Sequence, residues 1–313
     1  MNFALLGTGA IAQFHAQAVA ALEGSSLAAV CDLDRGRAEV FAASYGLSVG
    51  AVYTDVDAML SRGDIDVLLV TTPSGLHHLG VEAAARHGVN ALVEKPLEIS
   101  TARIDEMAAL CVRAGVQLGC TFQTRWTEGF SEARRKIESG ELGRITYAAV
   151  QVPWWRSDEY YAAGGWRGTY AMDGGGAMMN QSIHMIDWLT ALMPPVEEVK
   201  GFAATLAHPI ETEDTAVAVL RFAGGALGSV YATTASFPGG AKRLEIRGTK
   251  GTYVYEDGVT GVSRPDQLDF EPHRRCFEAF VASLEGGVPY PVDAAAARRS
   301  VDLIERISGR RNA

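Results

Sequence analysis

The chain has 313 residues, 48% hydrophobic and 21% charged, with 34 Gly and 11 Pro. At ~100–200 residues per domain that length favours two domains with a real core, and the composition excludes collagen, disorder and a disulfide scaffold. Lys plus Arg is 28 against 37 for Asp plus Glu, and a net charge of −9 lacks the basic footprint of a nucleic-acid binder or a polybasic membrane-surface protein.

Cys31, Cys111, Cys120 and Cys276 are too sparse for a staple framework and lack metal-ligand spacing, so no metal is expected; the first three sit in apolar runs, which predicts buried thiols in a reducing compartment. The opening MNFALLGTG has no charged n-region and no cleavage site, so no signal peptide is expected. No uncharged apolar stretch reaches the ~18 residues of a spanning helix. The expectation is a soluble cytoplasmic enzyme.

Up to residue 122 the chain alternates two hydrophobic periods. Short β-type runs (3–6, 27–31, 67–70, 91–93, 118–122) alternate with helical-period segments at 10–22, 34–45, 56–60, 77–87 and 101–114. That alternation argues for a parallel, doubly wound sheet with helices on both faces. Gly46, Gly88 and Gly115 stand where helix-ending glycines belong. Past Phe122 a helix (128–139) leads into long β-type runs at 145–152, 199–206, 215–222, 226–235 and 244–255. With short Gly-rich turns between them they read as one open antiparallel sheet. A loop rich in Trp, Tyr and Gly (153–176) and a helix (177–192) are inserted, and helices at 273–284 and 294–308 close the chain. The predicted fold is α/β: a dinucleotide-binding domain over 1–122, then a substrate-binding and oligomerisation domain over 123–313.

Strand 3–6 runs straight into Gly7-Thr8-Gly9-Ala10-Ile11-Ala12 and then a helix. Gly7 permits a tight turn, Gly9 lets backbone approach a pyrophosphate, Ala12 allows close helix–strand packing, and the helix N-terminus attracts the anion. A lone GxGxxA is weak, but Asp32 ends the second strand 25 residues after Gly7, placed to accept from a ribose 2′-OH. A carboxylate there repels a 2′-phosphate, so NAD is favoured over NADP, with Arg35 and Arg37 able to soften the preference. Thr71-Thr72-Pro73-Ser74 and His77 follow the strand at 67–70, where an open α/β sheet presents its crevice; the plain alternative is that Ser74 only caps a helix.

Strand 91–93 ends in Glu94-Lys95-Pro96. A Lys there points into the same crevice, and partial desolvation would lower its pKa toward the range of proton transfer. A surface Lys paired with Glu94 is the alternative. Farther on, Asp173-Gly174-Gly175-Gly176 precedes a helix carrying Asn180, Gln181, His184 and Asp187. Asn180 and His184 are i and i+4, so they share one face. Asp187 is spaced to hydrogen-bond His184 or to make a different contact. A lone helical His is usually structural; beside Asn180 and a Gly-rich loop it is a better acid/base candidate.

Together these motifs resemble the Gfo/Idh/MocA oxidoreductase family over essentially the whole chain. The resemblance implies an N-terminal Rossmann domain, a C-terminal α+β domain with an open, mostly antiparallel sheet, bound NAD(P), and sugar or cyclitol substrates. It also implies homodimers or homotetramers built through that sheet. Carried over, Gly7, Gly9, Ala10, Ile11, Asp32 and Gln123 would hold the cofactor. Thr72, Pro73, His77 and Glu94 would line its nicotinamide side, and Lys95 and His184 would be the catalytic pair. Many members have Asp four residues before the His; Asn180 stands there, and it cannot be a base. The string Arg156…Tyr160-Tyr161…Trp166-Arg167…Asp173…Asn180-Gln181…His184 looks most like the branch acting on UDP-linked acetamido-sugar uronates, in which Trp166 and Arg167 would lie near the cofactor.

The implied reaction is reversible oxidation of a secondary ring hydroxyl. Lys95 or His184 takes the hydroxyl proton, and Arg156, Tyr160, Tyr161, Asn180 and His184 hold the substrate. Arg156 and Arg167 suit a carboxylate or phosphate, with ion pairs to Asp158, Glu159 or Asp173 as their alternative. A non-catalytic dinucleotide and sugar sensor on the same fold is one rival, against which Lys95 and His184 argue. An imine or aldehyde reductase is another, and the aromatic residues of 153–170 favour a sugar ring instead.

Overall fold

Val67-Leu68-Leu69-Val70 contains no polar position, as a strand covered on both faces requires, and all four residues are buried. The computed structural model, which describes residues 1–257 and 269–310, places this run as β4 in a six-stranded parallel sheet. Its neighbours are β1 (Asn2–Leu6), β2 (Ser26–Cys31), β3 (Val52–Tyr53), β5 (Asn90–Glu94) and β6 (Leu118–Thr121). The order is β3-β2-β1-β4-β5-β6, so the winding reverses between β1 and β4 and the turns after those strands flank a switch point. β3 was absent from the sequence expectation, because two residues carry no period.

The connecting helices are α1 (Ala12–Ala20), α2 (Arg35–Ser44), α3 (Val56–Leu60), α4 (His77–Arg86) and α5 (Thr101–Ala114). Asp34, Asp55 and Ser100 cap α2, α3 and α5 by accepting the amides of Arg37, Ala58 and Arg103. α5 ends at Gly115 in the left-handed region (φ 68°).

The chain forms two compact units whose division differs from the expected one. Residues 1–123 are joined by 269–297, and the second unit is 124–268 with 298–313, of which 258–268 and 311–313 lie outside the described residues. The return has a hydrophobic cause. Helix α9 (Glu271–Leu284) buries Cys276, Phe277 and Phe280, and Phe277 stacks on Phe3 of β1 with ring centroids 6.3 Å apart. Phe280 and Tyr290 approach Gly119 of β6 so closely that a Cβ there would meet both rings at 2.8 Å. Asp293 then bridges Gly119 in antiparallel fashion, and Cys120 N–H donates to the Val292 carbonyl (2.9 Å), covering the outer edge of β6. A reading by local period sees α9 only as a helix, since its partners lie some 150–270 residues away in sequence.

The second unit carries α6 (Glu128–Glu138), then β7 (Ile145–Pro153), β8 (Val196–Ala204), β9 (Thr215–Phe222), β10 (Leu227–Thr233), β11 (Arg243–Gly248) and β12 (Thr252–Glu256). The sheet order is β12-β11-β7-β10-β9-β8, antiparallel except where β7 and β10 run parallel. Strand 244–255 of the sequence expectation is two strands. Gly248 N–H donates to the Gly251 carbonyl (2.9 Å), and Thr249-Lys250 turns the chain between them. Ala216, Ala218, Leu220 and Phe222 face the core while Val217 and Val219 are exposed, so the sheet has one packed and one open face. Loop 153–176 contains a short helix, α7 (Asp158–Ala162). The helix expected at 177–192 begins as a π turn, Ala177–Ser182, and continues as α8 (Ile183–Leu192); α10 is Ala294–Ile307. Among the described residues no helix is long and apolar enough to cross a membrane.

Phe277→Ala empties the contact with Phe3, so it is expected to cost about 3–5 kcal/mol. Hydrogen exchange should show the loss first in β1 and β6, and unchanged protection there would refute the assignment of α9 to the first unit.

Candidate active site

In the first unit the turn after β1 is built by close approach. Gly7 has φ 93°, and a Cβ on it would stand 2.9 Å from the Thr71 carbonyl oxygen, so only glycine lets the turns after β1 and β4 meet. Gly9 is the opposite case, since a Cβ there would meet nothing within 4 Å. The backbone of Gly9, Ala10 and Ile11 is thus open in front of the N-terminus of α1, the form of a pyrophosphate cradle. Asp32 lies beside it, buried. Its Oδ2 accepts from the Thr8 amide (2.8 Å) and Thr8 hydroxyl (2.9 Å), and its Oδ1 from the Asp34 amide (2.9 Å). The Arg37 guanidinium reaches both oxygens, at 2.6 and 3.2 Å. Burial pushes the Asp32 carboxyl up, but the Arg37 pair and those donors outweigh it and hold it at about 2.

After β4, the Thr72 hydroxyl is buried with no hydrogen-bond partner among the described residues. An orphaned donor at the carboxyl end of a parallel strand, next to the open Gly9 cradle, fits a dinucleotide. His77 lies under Thr72 and Pro73, its Nδ1 2.8 Å from the Pro96 carbonyl and its Nε2 3.0 Å from the Thr72 carbonyl. Burial pushes its pKa down, and a neutral ring donates to one of the two carbonyls at a time. His77 thereby ties the turn after β4 to the one after β5.

Glu94 is turned inward. It is 5% exposed, its Oε1 lies 2.8 Å from His15 Nε2, and its Oε2 accepts the Lys95 amide at 3.0 Å. Lys95 follows it, partly buried, with a cis peptide to Pro96. Gln123 ends the first segment of the unit, its Oε1 buried and without a partner among the described residues.

In the second unit, every residue from Asp173 to Thr190 is buried except Asn180 and His184, which share one face across the junction of the π turn and α8. Asn180 Nδ2 donates to Asp173 Oδ1 (2.7 Å), and Asp173 Oδ2 accepts the Gly168 amide (2.9 Å). A carboxylate at position 180 would face Asp173 at hydrogen-bond distance, which explains the amide there. His184 Nδ1 is 3.5 Å from Thr124 Oγ1, which accepts the indole N–H of Trp188 at 3.0 Å. Asp187 does not serve His184. It is fully buried and held by both arms of Arg125 at 2.6 and 2.7 Å. Neither Arg125 nor Thr124 belongs to a motif, so sequence reading passed over both.

Loop 153–176 arranges its cations on its rings. Arg156 lies over Trp154 (5.0 Å) and Tyr160 (5.1 Å), and Arg167 over Tyr160 (4.7 Å) and Trp166 (5.2 Å). Arg156 donates to Gln181 Oε1 at 3.0 Å and Arg167 to the Ala163 carbonyl at 2.7 Å. Among the acids near them, Asp158 pairs with His208, and Asp173 accepts from Asn180. Tyr161 is buried, its hydroxyl on Thr234 Oγ1 (2.7 Å) and its pKa pushed up by burial. Glu213 went unpredicted; its Oε1 accepts the amides of Gly176 and Met178 and so anchors the turn that leads to Asn180.

The six parallel strands in this order, with a glycine cradle and an acid at the end of β2, define a dinucleotide-binding protein of the Rossmann class. Two family descriptions match: "Oxidoreductase family, NAD-binding Rossmann fold" over residues 1–122, and "GFO/IDH/MocA C-terminal domain" over 130–254. The WlbA dehydrogenase of Bordetella pertussis, solved with NADH and UDP-GlcNAcA, is 32% identical with a TM-score of 0.89, covering 99% of this chain and 95% of its own. The WlbA enzyme from Chromobacterium violaceum, in complex with the same ligands, is 29% identical with a TM-score of 0.89, covering 100% and 94%. Inositol 2-dehydrogenase of Rhizobium meliloti is 26% identical, over 92% of this chain and 89% of its own. The chain belongs to the Gfo/Idh/MocA oxidoreductase family, and its cofactor is NAD.

Arg37 sits where it offsets the repulsion between Asp32 and a 2′-phosphate. Arg37→Ala is expected to weaken NADPH binding about tenfold, or ~1.4 kcal/mol, while NADH binding stays within about threefold. Fluorescence titration with both dinucleotides checks this, and equal losses for the two would show that Arg37 does not discriminate.

Proposed function

We propose that the protein oxidises a secondary ring hydroxyl of a sugar, a sugar derivative or a cyclitol, with a nucleotide-linked sugar uronate as the favoured substrate. The observation that carries the preference is the ladder of Arg156, Tyr160 and Arg167. Two guanidinium groups are held against the ring of one tyrosine, which fixes two cationic groups side by side for a carboxylate or phosphate of the substrate. Likeness to dehydrogenases solved with UDP-GlcNAcA supports the same reading.

Gly7, Gly9, Ala10, Ile11, Asp32, Thr72, Pro73 and His77 would hold NAD, with Glu94, Gln123, Trp166 and Arg167 assigned to it on the family resemblance. Bound NAD supplies a hydride acceptor. The chain's own groups handle the proton: as the carbon-bound hydride leaves the substrate, Lys95 Nζ or His184 Nε2 takes the hydroxyl proton. Asn180, fixed by Asp173, orients a neighbouring hydroxyl and carries no proton itself. Tyr161 contributes through packing beneath Tyr160, with ring centroids 5.2 Å apart. Positioned acid–base groups contribute typically ~10²–10⁴-fold. The four buried thiols suit a reducing compartment, which supports the cytoplasm.

Incubation with NAD and a panel of UDP-N-acetylglucosaminuronate, myo-inositol and scyllo-inositol, followed by NADH absorbance, tests this. The uronate is expected to give turnover, and Lys95→Ala to lower it at least about 100-fold with NADH affinity within threefold. Tight NADH binding with no reduction by any sugar would favour a sensor instead.

Self-association through the open face of the second sheet completes the reading. Phe202 (87% exposed), Val217, Val219 and Leu227 stand on that face, where Phe202 pairs directly with Val217. Val219→Asp is expected to lower the mass found by light scattering after size exclusion; an unchanged mass would remove this face from the assembly.

A further inference from the structure

Glu94, assigned to the cofactor only by resemblance, forms with His15 and His273 a buried cluster to which the proposed chemistry gives no role. The three come from β5, α1 and α9, all within the first unit, and all are buried. His15 Nε2 lies 2.8 Å from Glu94 Oε1, and His273 Nε2 lies 3.7 Å from the same oxygen, beyond hydrogen-bond reach. His15 Nδ1 and both ring nitrogens of His273 have no hydrogen-bond partner among the described residues. The rings of His15 and His273 are tilted against each other at 5.4 Å, and both contact Phe277.

The protonation states follow from burial and geometry. Burial pushes His15 toward the neutral form against the pull of Glu94, so its Nε2 carries the proton and donates it to the carboxylate. Burial alone would push Glu94 up, but His15 and His273 hold it well below the usual carboxylate range. What remains is a buried carboxylate held by the neutral His15 ring, with its second oxygen on the Lys95 amide. That last bond curls the Glu94 side chain onto the peptide that follows it. It fixes the peptide plane, and with it the direction in which Lys95 leaves the strand, only if something else fixes the carboxylate. His15 does this from α1, the helix that begins at the pyrophosphate cradle.

Such a cluster invites the thought of a metal ion, since the three side chains offer donor atoms within 4.8 Å of one another. The 2.8 Å separation of His15 and Glu94 is that of an N–H donor and its acceptor, whereas two ligands of one tetrahedral zinc stand about 3.3 Å apart given metal–ligand bonds near 2.0–2.1 Å.

We propose that His15 is a positioning residue, with His273 packed against its ring: His15 and Glu94 form a buried imidazole–carboxylate clamp that holds the Lys95 backbone in register with the cofactor helix. The proposal rests on the proton-transfer role given to Lys95. His15→Phe keeps a ring and removes the N–H donor; His15→Gln keeps an N–H at the reach of Nε2; His273→Phe serves if the first does not fold. With UDP-N-acetylglucosaminuronate as probe, His15→Phe is expected to lower kcat at least about tenfold with KM and NADH affinity within threefold, and His15→Gln to stay within threefold of the parent.

A second readout needs no turnover. The rate at which acetic anhydride acylates Lys95, normalised to Lys200 by peptide mass spectrometry, should shift at least about threefold in His15→Phe and not in His15→Gln. Parental kcat and Lys95 reactivity in both Phe variants would overturn the clamp, as would one equivalent of bound zinc that His15→Phe abolishes. If Lys95→Ala retains full turnover, the proton-transfer role fails instead. The labelling result still decides whether His15 sets the surroundings of Lys95.

Discussion

A carboxylate taken out of water must be met by donors, and both units organise their working loops around that requirement. Asp32 gathers the Thr8 and Asp34 amides at the cradle, and Glu94 takes the Lys95 amide at the end of β5. Asp173 accepts from Gly168 and Asn180, Glu213 from Gly176 and Met178, and Asp214 from Leu206, Ala207 and His208. In each case backbone that could not pair within a sheet or helix is fixed by an acid. The balance between burial and donors differs from site to site. Donors prevail at Asp32, Glu94 and Asp214, whereas burial prevails at Glu213, whose pKa is raised. Part of the chain's acidity is therefore internal scaffolding, and the net charge of −9 describes its outer surface only in part.

The parallel sheet was legible because each of its long strands is a continuous apolar run bounded by a glycine or a polar turn. The cradle was legible because Gly7 and Gly9 have different reasons to be glycine, one steric and one functional. Asn180 and His184 were singled out by i,i+4 spacing, and both are half-buried on an otherwise buried segment. For Asp187 the spacing left two contacts open, and the structure takes the one away from His184, because spacing along a helix cannot weigh a guanidinium from another element. Arg125 outcompetes His184 for it with two charge-assisted hydrogen bonds.

Other features had only a faint trace. His15 interrupts the apolar face of α1, between Ala12 and Val19, and a polar residue on a buried stripe is a signal in itself. Its partners Glu94 and His273 lie 79 and 258 residues away, beyond any local pattern. The split of 244–255 into a hairpin had a signal that went unread, since Arg247 to Thr252 carries Gly248 and Gly251 and no apolar side chain. The return of α9 was hidden for the same reason as the clamp. Hydrophobic periodicity says that a helix buries a face, and says nothing of which sheet receives it.

That return has a consequence for biosynthesis. The nucleotide-binding unit needs Phe277, Phe280 and Tyr290 to cover β1 and β6, and it needs His273 against Glu94. These residues are translated after nearly all of the second unit. A ribosome making this protein therefore releases the second unit's sheet first, while the older segment waits with one flank uncovered. Neither unit is a contiguous stretch of message, so a cut at the boundary suggested by residues 1–122 would yield a fragment without its own last layer.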